Sequence, residues 1–187
     1  MYAGNAFGAA PDAAVWAELA KTHHLSAEFT QTQKRAILKK PLVSSGTIEF
    51  ERPENLVWTV KLPAPSTFEL HGSVASMEFP QLGLKERFDL DSMPDANRLA
   101  SSLLVWLQAD PAAVERDFTV HYLDAPARIV LTPKSPSLQG LIKKMELHVK
   151  ESPWRISGVN LEEPSGDTVD LAFHRVILDG KPIPDAP

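Results

Sequence analysis

The side chains that could act as acids, bases or nucleophiles do not form a recognisable catalytic site in the sequence. Asp170 and His174 share one face of the last predicted strand, but four residues at about 3.4 Å each separate them by roughly 13 Å, too far for a proton-transferring pair. Glu49 and Glu51 also share a strand face and could form paired carboxylates, although a polar outer face is the commoner explanation. An active site assembled only by folding stays open as an alternative.

Signatures of metal binding and of nucleophilic catalysis are missing as well. The chain has no cysteine, which excludes disulfides, thiolate zinc sites and cysteine nucleophiles. Its six histidines lack ligand spacing with acidic partners, and the adjacent pair His23 and His24 would point in different directions on a helix. The serines of Ser44-Ser45-Gly46 lack the glycine-x-serine-x-glycine elbow of hydrolases. We therefore expect no metal, no organic cofactor and no enzyme activity.

Length and charge restrict the class of protein further. A chain of 187 residues is long enough for one domain with a core, and we expect a monomer with a single domain over residues 12–187. Residues 1–11 are interpreted as a leader, either the remnant of an export signal or residues added before it. The 19 basic and 24 acidic residues give a net charge of -5, which predicts no cationic face for nucleic acid.

The segment 41–62 predicts a β-hairpin with a cation at its turn. Apolar and polar positions alternate up to Phe50, the alternation breaks at Arg52-Pro53-Glu54-Asn55, and a second run resumes through Leu56 and Trp58. Pro53 cannot donate to a strand ladder, so it marks the strand end and places Arg52 at the rim of the sheet. There Arg52 could hold a neighbouring segment in place. The alternative is a surface arginine whose stem lies beside Pro53.

The rest of the chain predicts a mainly β fold (α+β) with few helices. Helices are expected at about 12–23 and 94–108, and a helical turn is expected to begin at Pro111. Strands are expected at about 26–38, 42–51, 55–62, 66–71, 74–79, 84–90, 117–123, 127–133, 140–150, 153–162 and 168–178. About eleven strands can satisfy their hydrogen bonds by curling into a strongly bent sheet or an incomplete barrel.

This order of residues resembles the LolA family of periplasmic lipoprotein carriers over about residues 12–182. The resemblance rests on Phe29-Thr30-Gln31, Gly46, Phe50-Glu51-Arg52-Pro53, Trp58, Pro63, Leu131-Thr132-Pro133-Lys134, Trp154-Arg155-Ile156, Gly166-Asp167, Leu171 and Phe173. It implies a half-open antiparallel β-barrel of about eleven strands, with a helical lid that encloses an apolar cavity.

The resemblance also implies roles for individual residues. Arg52 occupies the position of an arginine that contacts the lid helices and holds the cavity closed. Leu56 stands where the family often has an aromatic residue, exposed near the cavity mouth and involved in handover, and Trp58 matches a family tryptophan. The residues expected to contact cargo are Trp16, Phe50, Leu56, Trp58, Leu99, Leu103, Trp106 and Leu107. For each of them the alternative is an ordinary core residue beneath a helix layer.

The function implied by the resemblance is non-enzymatic carriage of an acylated lipoprotein through the periplasm. An inner-membrane donor complex and an outer-membrane receptor would be its partners. The sequence departs from the family pattern at Leu56 and at His71-Gly72-Ser73-Val74-Ala75, where members usually carry aspartate-glycine followed by aromatic residues. These departures keep open a carrier of a non-lipoprotein lipid or polyene compound. An enzyme with a dispersed site in the cavity is the second alternative.

Overall fold

The computed structural model describes residues 14–93, 105–124 and 126–184, and a single antiparallel sheet dominates them. The strands are β1 His24–Lys34, β2 Leu42–Glu51, β3 Asn55–Leu62, β4 Ser66–His71, β5 Val74–Phe79, β6 Leu84–Asp89, β7 Phe118–Asp124, β8 Ala127–Pro133, β9 Lys144–Lys150, β10 Arg155–Glu162, β11 Thr168–Leu178 and β12 Lys181–Pro182. The α-helices are α1 Ala14–Leu19, a helical segment over residues 105–108, α2 Pro111–Asp117 and α3 Pro136–Gln139. Short 3₁₀ helices lie at Pro80–Leu82 and Leu90–Ser92.

The sheet is continuous but open. Its strand order is β6-β5-β4-β3-β2-β1-β11-β10-β9-β8-β7, and β12 pairs with β11 outside this path. The strands β6 and β7 stand at the two ends of the path, and no other strand of the described residues lies between them in the chain. The predicted fold of about eleven antiparallel strands in a half-open barrel is confirmed.

Close backbone approaches accompany irregular pairing at two glycines. The register of β2 against β3 shifts between Ser45 and Gly46, and that of β10 against β9 shifts between Ile156 and Gly158. A Cβ built on Gly46 would lie 1.8 Å from the Thr59 carbonyl oxygen, and one on Gly158 would lie 2.7 Å from the Leu171 carbonyl oxygen. Bulges of this kind bend the bulged strand and increase its twist, which curves the sheet.

The core lies against one face of the curved sheet. Phe29 of β1 and Ile48 of β2 are fully buried on that face, as are Trp16 of α1 and Phe118 at the start of β7. The helical segment 105–108 covers the same face, because the Trp106 ring packs on Phe173 of β11 with 5.9 Å between ring centroids. Within the described residues, no helix is both long and apolar enough to cross a lipid bilayer.

The first helix is shorter than predicted. Helix α1 ends at Leu19 rather than at residue 23, and the amides of residues 20–22 still donate to the last carbonyls of the helix. The backbone amides of His23 and His24 instead donate to the Asp179 carboxylate, at 2.9 and 2.8 Å, and His24 begins β1. The prediction that this pair ends a helix is therefore wrong.

Two predicted strands differ from the structure by four residues at one end. Strand β1 ends at Lys34 instead of residue 38, because the next residue, Arg35, pairs with Glu163 and the Ala36 amide donates to Asp167. Strand β9 starts at Lys144 instead of residue 140, because the Ser135 hydroxyl caps helix α3 and the turn after it extends the helical bonding to Ile142.

Parts of the sequence prediction lie outside the described residues. They are residues 1–11, most of the helix predicted at 94–108, and two of the residues expected to contact cargo, Leu99 and Leu103. Of the predicted helix, residues 105–108 are described and are helical. The helical turn predicted to begin at Pro111 is helix α2.

The close approach at Gly46 generates a stability prediction. We expect Gly46→Ala to lower the free energy of unfolding by about 1–3 kcal/mol, because the new methyl group overlaps the Thr59 carbonyl of the neighbouring strand. The control is Gly140→Ala, where the nearest atoms to the added Cβ lie 3.6 Å away. Urea unfolding midpoints measure both variants, and a Gly46→Ala midpoint equal to that of Gly140→Ala would contradict the prediction.

Candidate functional site

A cavity of about 900 Å³ opens on the core-facing side of the sheet. Side chains from β1, β3, β4, β5, β6, β9, β10 and β11 line it, so the sheet must curve around it. Ligand pockets in proteins commonly have volumes of roughly 300–1,000 Å³. The cavity is therefore large enough to be a binding site.

The walls of the cavity are mostly apolar. Strand alternation explains why: Leu56 and Trp58 are two residues apart on β3 and point to the same face, as do Val169 and Leu171 on β11. Trp58 also packs on Phe29, with 4.7 Å between ring centroids, which fixes the orientation of the indole. Such walls provide hydrophobic burial and few groups that could perform proton transfer.

Polar side chains are concentrated at one part of the cavity wall. Gln31 and Gln33 come from the end of β1, and Glu163 and Ser165 come from the turn between β10 and β11. Glu163 accepts a hydrogen bond from Arg35 Nη1 at 2.6 Å. This bond is the main cause that raises the pKa of Arg35, so Glu163 serves as an ion-pair partner there. The two glutamine amides offer donors and acceptors to a polar end of a ligand.

Arg52 joins the sheet to the two helical segments that cover it. Its Nε donates to the carbonyl of Thr22 at 2.6 Å, and its Nη2 donates to the carbonyl of Leu19 at 3.2 Å. Its Nη1 donates to the carbonyl of Gln108 at the end of the segment 105–108. One guanidinium thus bonds to residues at the ends of two helical segments that are far apart in the sequence.

The surroundings of Arg52 hold the guanidinium in this position. Its Cζ lies 5.9 Å from the centre of the Phe50 ring, within the range of a cation–π contact. Partial burial lowers the pKa of Arg52, and the Asp179 carboxylate acts in the opposite direction. Arginine stays protonated at neutral pH because its ordinary pKa is far above 7. The carbonyls therefore face a permanent cation.

Asp179 organises the chain beside Arg52. It accepts from the amides of His24 and His23, and these bonds, that from His24 first, lower the pKa of its carboxyl group. The Arg52 amide in turn donates to the carbonyl of His23 at 2.9 Å. The link between α1 and β1 is thus bonded to β2 and to the turn after β11.

The structure places the predicted contact residues in three environments. Leu56 and Trp58 line the large cavity, and Leu56 is 2% exposed, so it lies in the wall and not at an exposed mouth. Phe50 and Leu107 border a separate gap of about 40 Å³ beside Arg52, and Trp106 borders both spaces.

Trp16 lies in the core and is not one of the residues that line the large cavity. Its indole Nε1 donates to the hydroxyl of Tyr122 on β7 at 2.9 Å, which ties α1 to the far end of the sheet. The apolar stripe of α1 faces the core, as its periodicity predicts, but periodicity does not distinguish packed core from cavity wall.

Sequence reasoning missed several residues of this site. Gln31 and Gln33 could have been found from strand alternation, since they continue the face that begins at Phe29. No sequence signal identifies Asp179, which acts on amides 155 and 156 residues away. Among the described residues, no group of three or more His, Cys, Asp or Glu side chains is placed to hold a metal ion.

The sequence matches one protein-family model over most of its length. The model, described as outer membrane lipoprotein carrier protein LolA, covers residues 20–185. A search of the curated proteins found no match.

Several solved structures are similar in fold at low sequence identity. A DUF1329 family protein from Desulfovibrio piger is 11% identical, with a TM-score of 0.52 over 89% of this chain and 90% of that chain. A LolA superfamily protein from Nitrosomonas europaea is 12% identical, with a TM-score of 0.47 over 93% and 94% of the two chains. A putative outer membrane lipoprotein-sorting protein domain from Vibrio parahaemolyticus is 8% identical, with a TM-score of 0.48 over 84% and 86%.

The bonds of Arg52 generate a prediction about local opening. In Arg52→Leu we expect faster amide hydrogen exchange in residues 14–22 and 105–108, because three carbonyl contacts are lost. We expect slow exchange in β1 and β2 to persist, since the sheet ladders are untouched. The control is Arg116→Leu, which removes an exposed arginine paired with its neighbour Asp117. Exchange in both helical segments equal to that of the control would show that Arg52 does not hold them.

Proposed function

The chain belongs to the LolA family, and from this premise we propose that it is a non-enzymatic periplasmic carrier that holds acyl chains in the cavity and passes them toward the outer membrane. The observation that supports the proposal most directly is the apolar cavity of about 900 Å³, which Trp106 borders from the helical segment 105–108 that Arg52 bonds to. An acylated lipoprotein would be the cargo, an inner-membrane complex its donor and an outer-membrane protein its receptor. The carrier would act as a monomer.

Hydrophobic burial provides sufficient free energy for capture. Each buried methylene contributes about 0.8 kcal/mol, so half of a sixteen-carbon chain contributes roughly 6 kcal/mol before ordering and opening costs. The wall residues Trp58, Phe68 and Phe88 supply flat apolar surface for such a chain. The glutamines Gln31 and Gln33 lie where a polar group attached to the chain could be hydrogen-bonded.

Release requires that the closed, empty carrier also be stable. Hydrogen bonds contribute about 1 kcal/mol each, so the three Arg52 bonds amount to a few kcal/mol in favour of closure. The free energy of these three bonds is smaller than that gained by burying half of an acyl chain, but it is of the same order of magnitude. Cargo that opens the helical segments would break these bonds, and their recovery on reclosure would favour expulsion.

A non-lipoprotein lipid or a polyene compound is the second candidate cargo. The observation that favours it is that both departures from the family pattern reach the cavity wall, since Leu56 and Ala75 line it. Their small aliphatic side chains replace aromatic ones and leave a different cavity shape. Native mass spectrometry of protein isolated gently from periplasm would distinguish the two cargoes, by finding either a lipoprotein or a small acyl compound bound.

Filling the cavity tests whether it binds acyl chains. We expect Val169→Trp to reduce binding of an environment-sensitive apolar dye, and competition by fatty acid, at least tenfold, because the indole occupies space in the cavity. The control is Val57→Trp on β3, which lies between the cavity-lining residues Leu56 and Trp58 and so points to the other face. Equal dye binding by the two variants would refute the cavity as the binding site.

Removing the arginine tests whether closure drives transfer. We expect Arg52→Leu, loaded with an acylated lipoprotein, to retain its cargo and to transfer it to a receptor more slowly than the wild type, because reclosure no longer favours expulsion. Arg52→Lys keeps the charge but cannot bond three carbonyls in a fork, so we expect an intermediate rate. Transfer rates are compared with those of Arg116→Leu. A rate for Arg52→Leu equal to that of the control would leave Arg52 without a role in release.

A further inference from the structure

The connection between β1 and β2 is a continuous exposed segment that combines aliphatic and basic residues. All eight residues from Ala36 to Val43 are exposed. Ile37 is 91% exposed and Leu38 is 47% exposed, and Leu42 and Val43 follow at the start of β2. Large aliphatic side chains grouped on one loop, rather than scattered singly over the surface, mark an interaction site. This segment, residues 36–43, is called the basic loop below.

The charge of the basic loop itself is opposite in sign to that of the whole protein, which carries -5. Four basic residues and no acidic one lie between Glu28 and Glu49, but Lys34 and Arg35 pair with carboxylates of the β10–β11 region. The positive charge of the loop therefore comes from Lys39 and Lys40. Lys39 and Lys40 form no ion pair with any residue that the structure describes. A basic end on an acidic molecule orients the molecule toward an anionic surface and repels the rest of it from that surface.

The base of the basic loop is held so that its tip projects outward. Arg35 Nη1 bonds to Glu163 Oε1 at 2.6 Å and to Asp167 Oδ2 at 3.3 Å, and the Ala36 amide donates to Asp167 Oδ1 at 2.8 Å. The amide of Leu38 closes a turn on the Arg35 carbonyl at 2.9 Å. These bonds anchor the base of the loop to the turn between β10 and β11.

The position of the basic loop relates it to the cavity. Glu163 and Ser165, in the turn that anchors the loop, line the cavity, as does Gln33 beside the loop. Arg52 lies at the other end of β1, since His24 pairs with Glu51 while Gln33 pairs with Leu42. The nine residue steps from His24 to Gln33 correspond to about 30 Å of strand. The loop therefore lies at the polar end of the cavity, away from Arg52.

We propose that the basic loop docks this protein on the surface of an anionic phospholipid bilayer, with Ile37 and Leu38 inserted among the acyl chains and Lys39 and Lys40 at the headgroups. Lysine stems lie along apolar surface while their ammonium groups stay among phosphates. The aliphatic and lysine composition favours lipid over protein, because protein hot spots are enriched in Trp, Tyr and Arg. The proposed docking adds a membrane-binding surface at the polar end of the cavity. Its biological meaning rests on the proposed carrier function.

The contact between the basic loop and the membrane is small enough to be reversible. A single myristoyl chain gives only marginal membrane binding, and stable anchoring takes two such signals. The two aliphatic side chains and the two unpaired lysines of the loop bury less apolar surface than two such anchoring signals do. The loop can therefore bring the polar end of the cavity to a membrane and leave it again, as a carrier requires.

The test is co-sedimentation of the full chain with vesicles. We expect binding to vesicles of equal parts phosphatidylglycerol and phosphatidylcholine to be at least tenfold stronger than to phosphatidylcholine alone, and to weaken with salt. We expect Ile37→Ser/Leu38→Ser and, separately, Lys39→Gln/Lys40→Gln to lose at least tenfold of this binding. Absence of wild-type binding to the anionic vesicles would overturn the proposal.

Matched controls separate the loop from general effects of hydrophobicity and charge. Leu82→Ser/Leu84→Ser removes two exposed leucines near the β6 edge, 68% and 50% exposed, and Lys150→Gln/Lys181→Gln makes the same change of charge elsewhere. Both should bind vesicles like the wild type. Binding lost equally in the control and loop variants would overturn the proposal. Cross-linking to membrane proteins is measured on the same variants. Loop variants that bind vesicles normally but no longer cross-link to a membrane protein would also overturn the proposal, since the surface would then belong to a protein partner.

The same variants distinguish this proposal from the carrier function. The loop substitutions should leave apolar dye binding in the cavity within twofold of the wild type, because no residue of 36–43 lines the cavity. Dye binding without vesicle binding would overturn the docking loop and leave the carrier standing. Vesicle binding without any acyl binding would overturn the carrier and leave the loop as a membrane contact.

Discussion

An antiparallel sheet whose end strands do not pair leaves a curved apolar face that its own strands cannot cover. In this protein β6 and β7 are those end strands, and the helical segment 105–108 packs on the face through Trp106. Gly46 and Gly158 allow the backbone approaches that accompany the bulges. The cavity lies on this face, and side chains from eight of the strands line it.

The covering segments are held by polar bonds at a few points, while the sheet is held by continuous ladders. Arg52 bonds the end of α1 and the segment 105–108, and the Trp16 indole bonds Tyr122 on β7. A few hydrogen bonds amount to a few kcal/mol, whereas a sheet of this size opens only on global unfolding. We therefore expect the cover to open at a lower cost in free energy than the sheet. The proposed carrier function needs that combination, because capture and release both require access to the cavity.

The two ends of β1 have different chemistry, and the cavity lies between them. At the His24 end, Asp179, Arg52 and backbone groups form a network of hydrogen bonds that closes the structure. At the Lys34 end, the wall becomes polar and leads to an exposed basic loop. The proposed closure by Arg52 and the proposed membrane contact are thus separated along one strand. A change at one end need not disturb the other.

The sequence by itself determined the features that depend on neighbours along the chain. The hairpin over 41–62 is an example, because its two-residue alternation fixed β2 and β3, and Pro53 placed Arg52 at the rim. Tertiary structure decided the features that depend on distant partners. The amides of His23 and His24, where β1 begins, donate to Asp179 of the turn after β11. Strand β1 stops at Lys34 because Glu163 and Asp167 take the groups that follow.

The same distinction separates core residues from cavity residues. Trp16 and Trp58 have the same side chain and both occupy apolar positions of their elements, yet the first is packed in the core and the second lines the cavity. Periodicity assigns each tryptophan to the inner face of its element. What that face meets depends on how far the sheet bends and where the covering segments lie. The spacing between the sheet and its covering segments is set by packing between parts of the chain more than a hundred residues apart, as in the bond from Trp16 to Tyr122. No local sequence pattern contains this spacing.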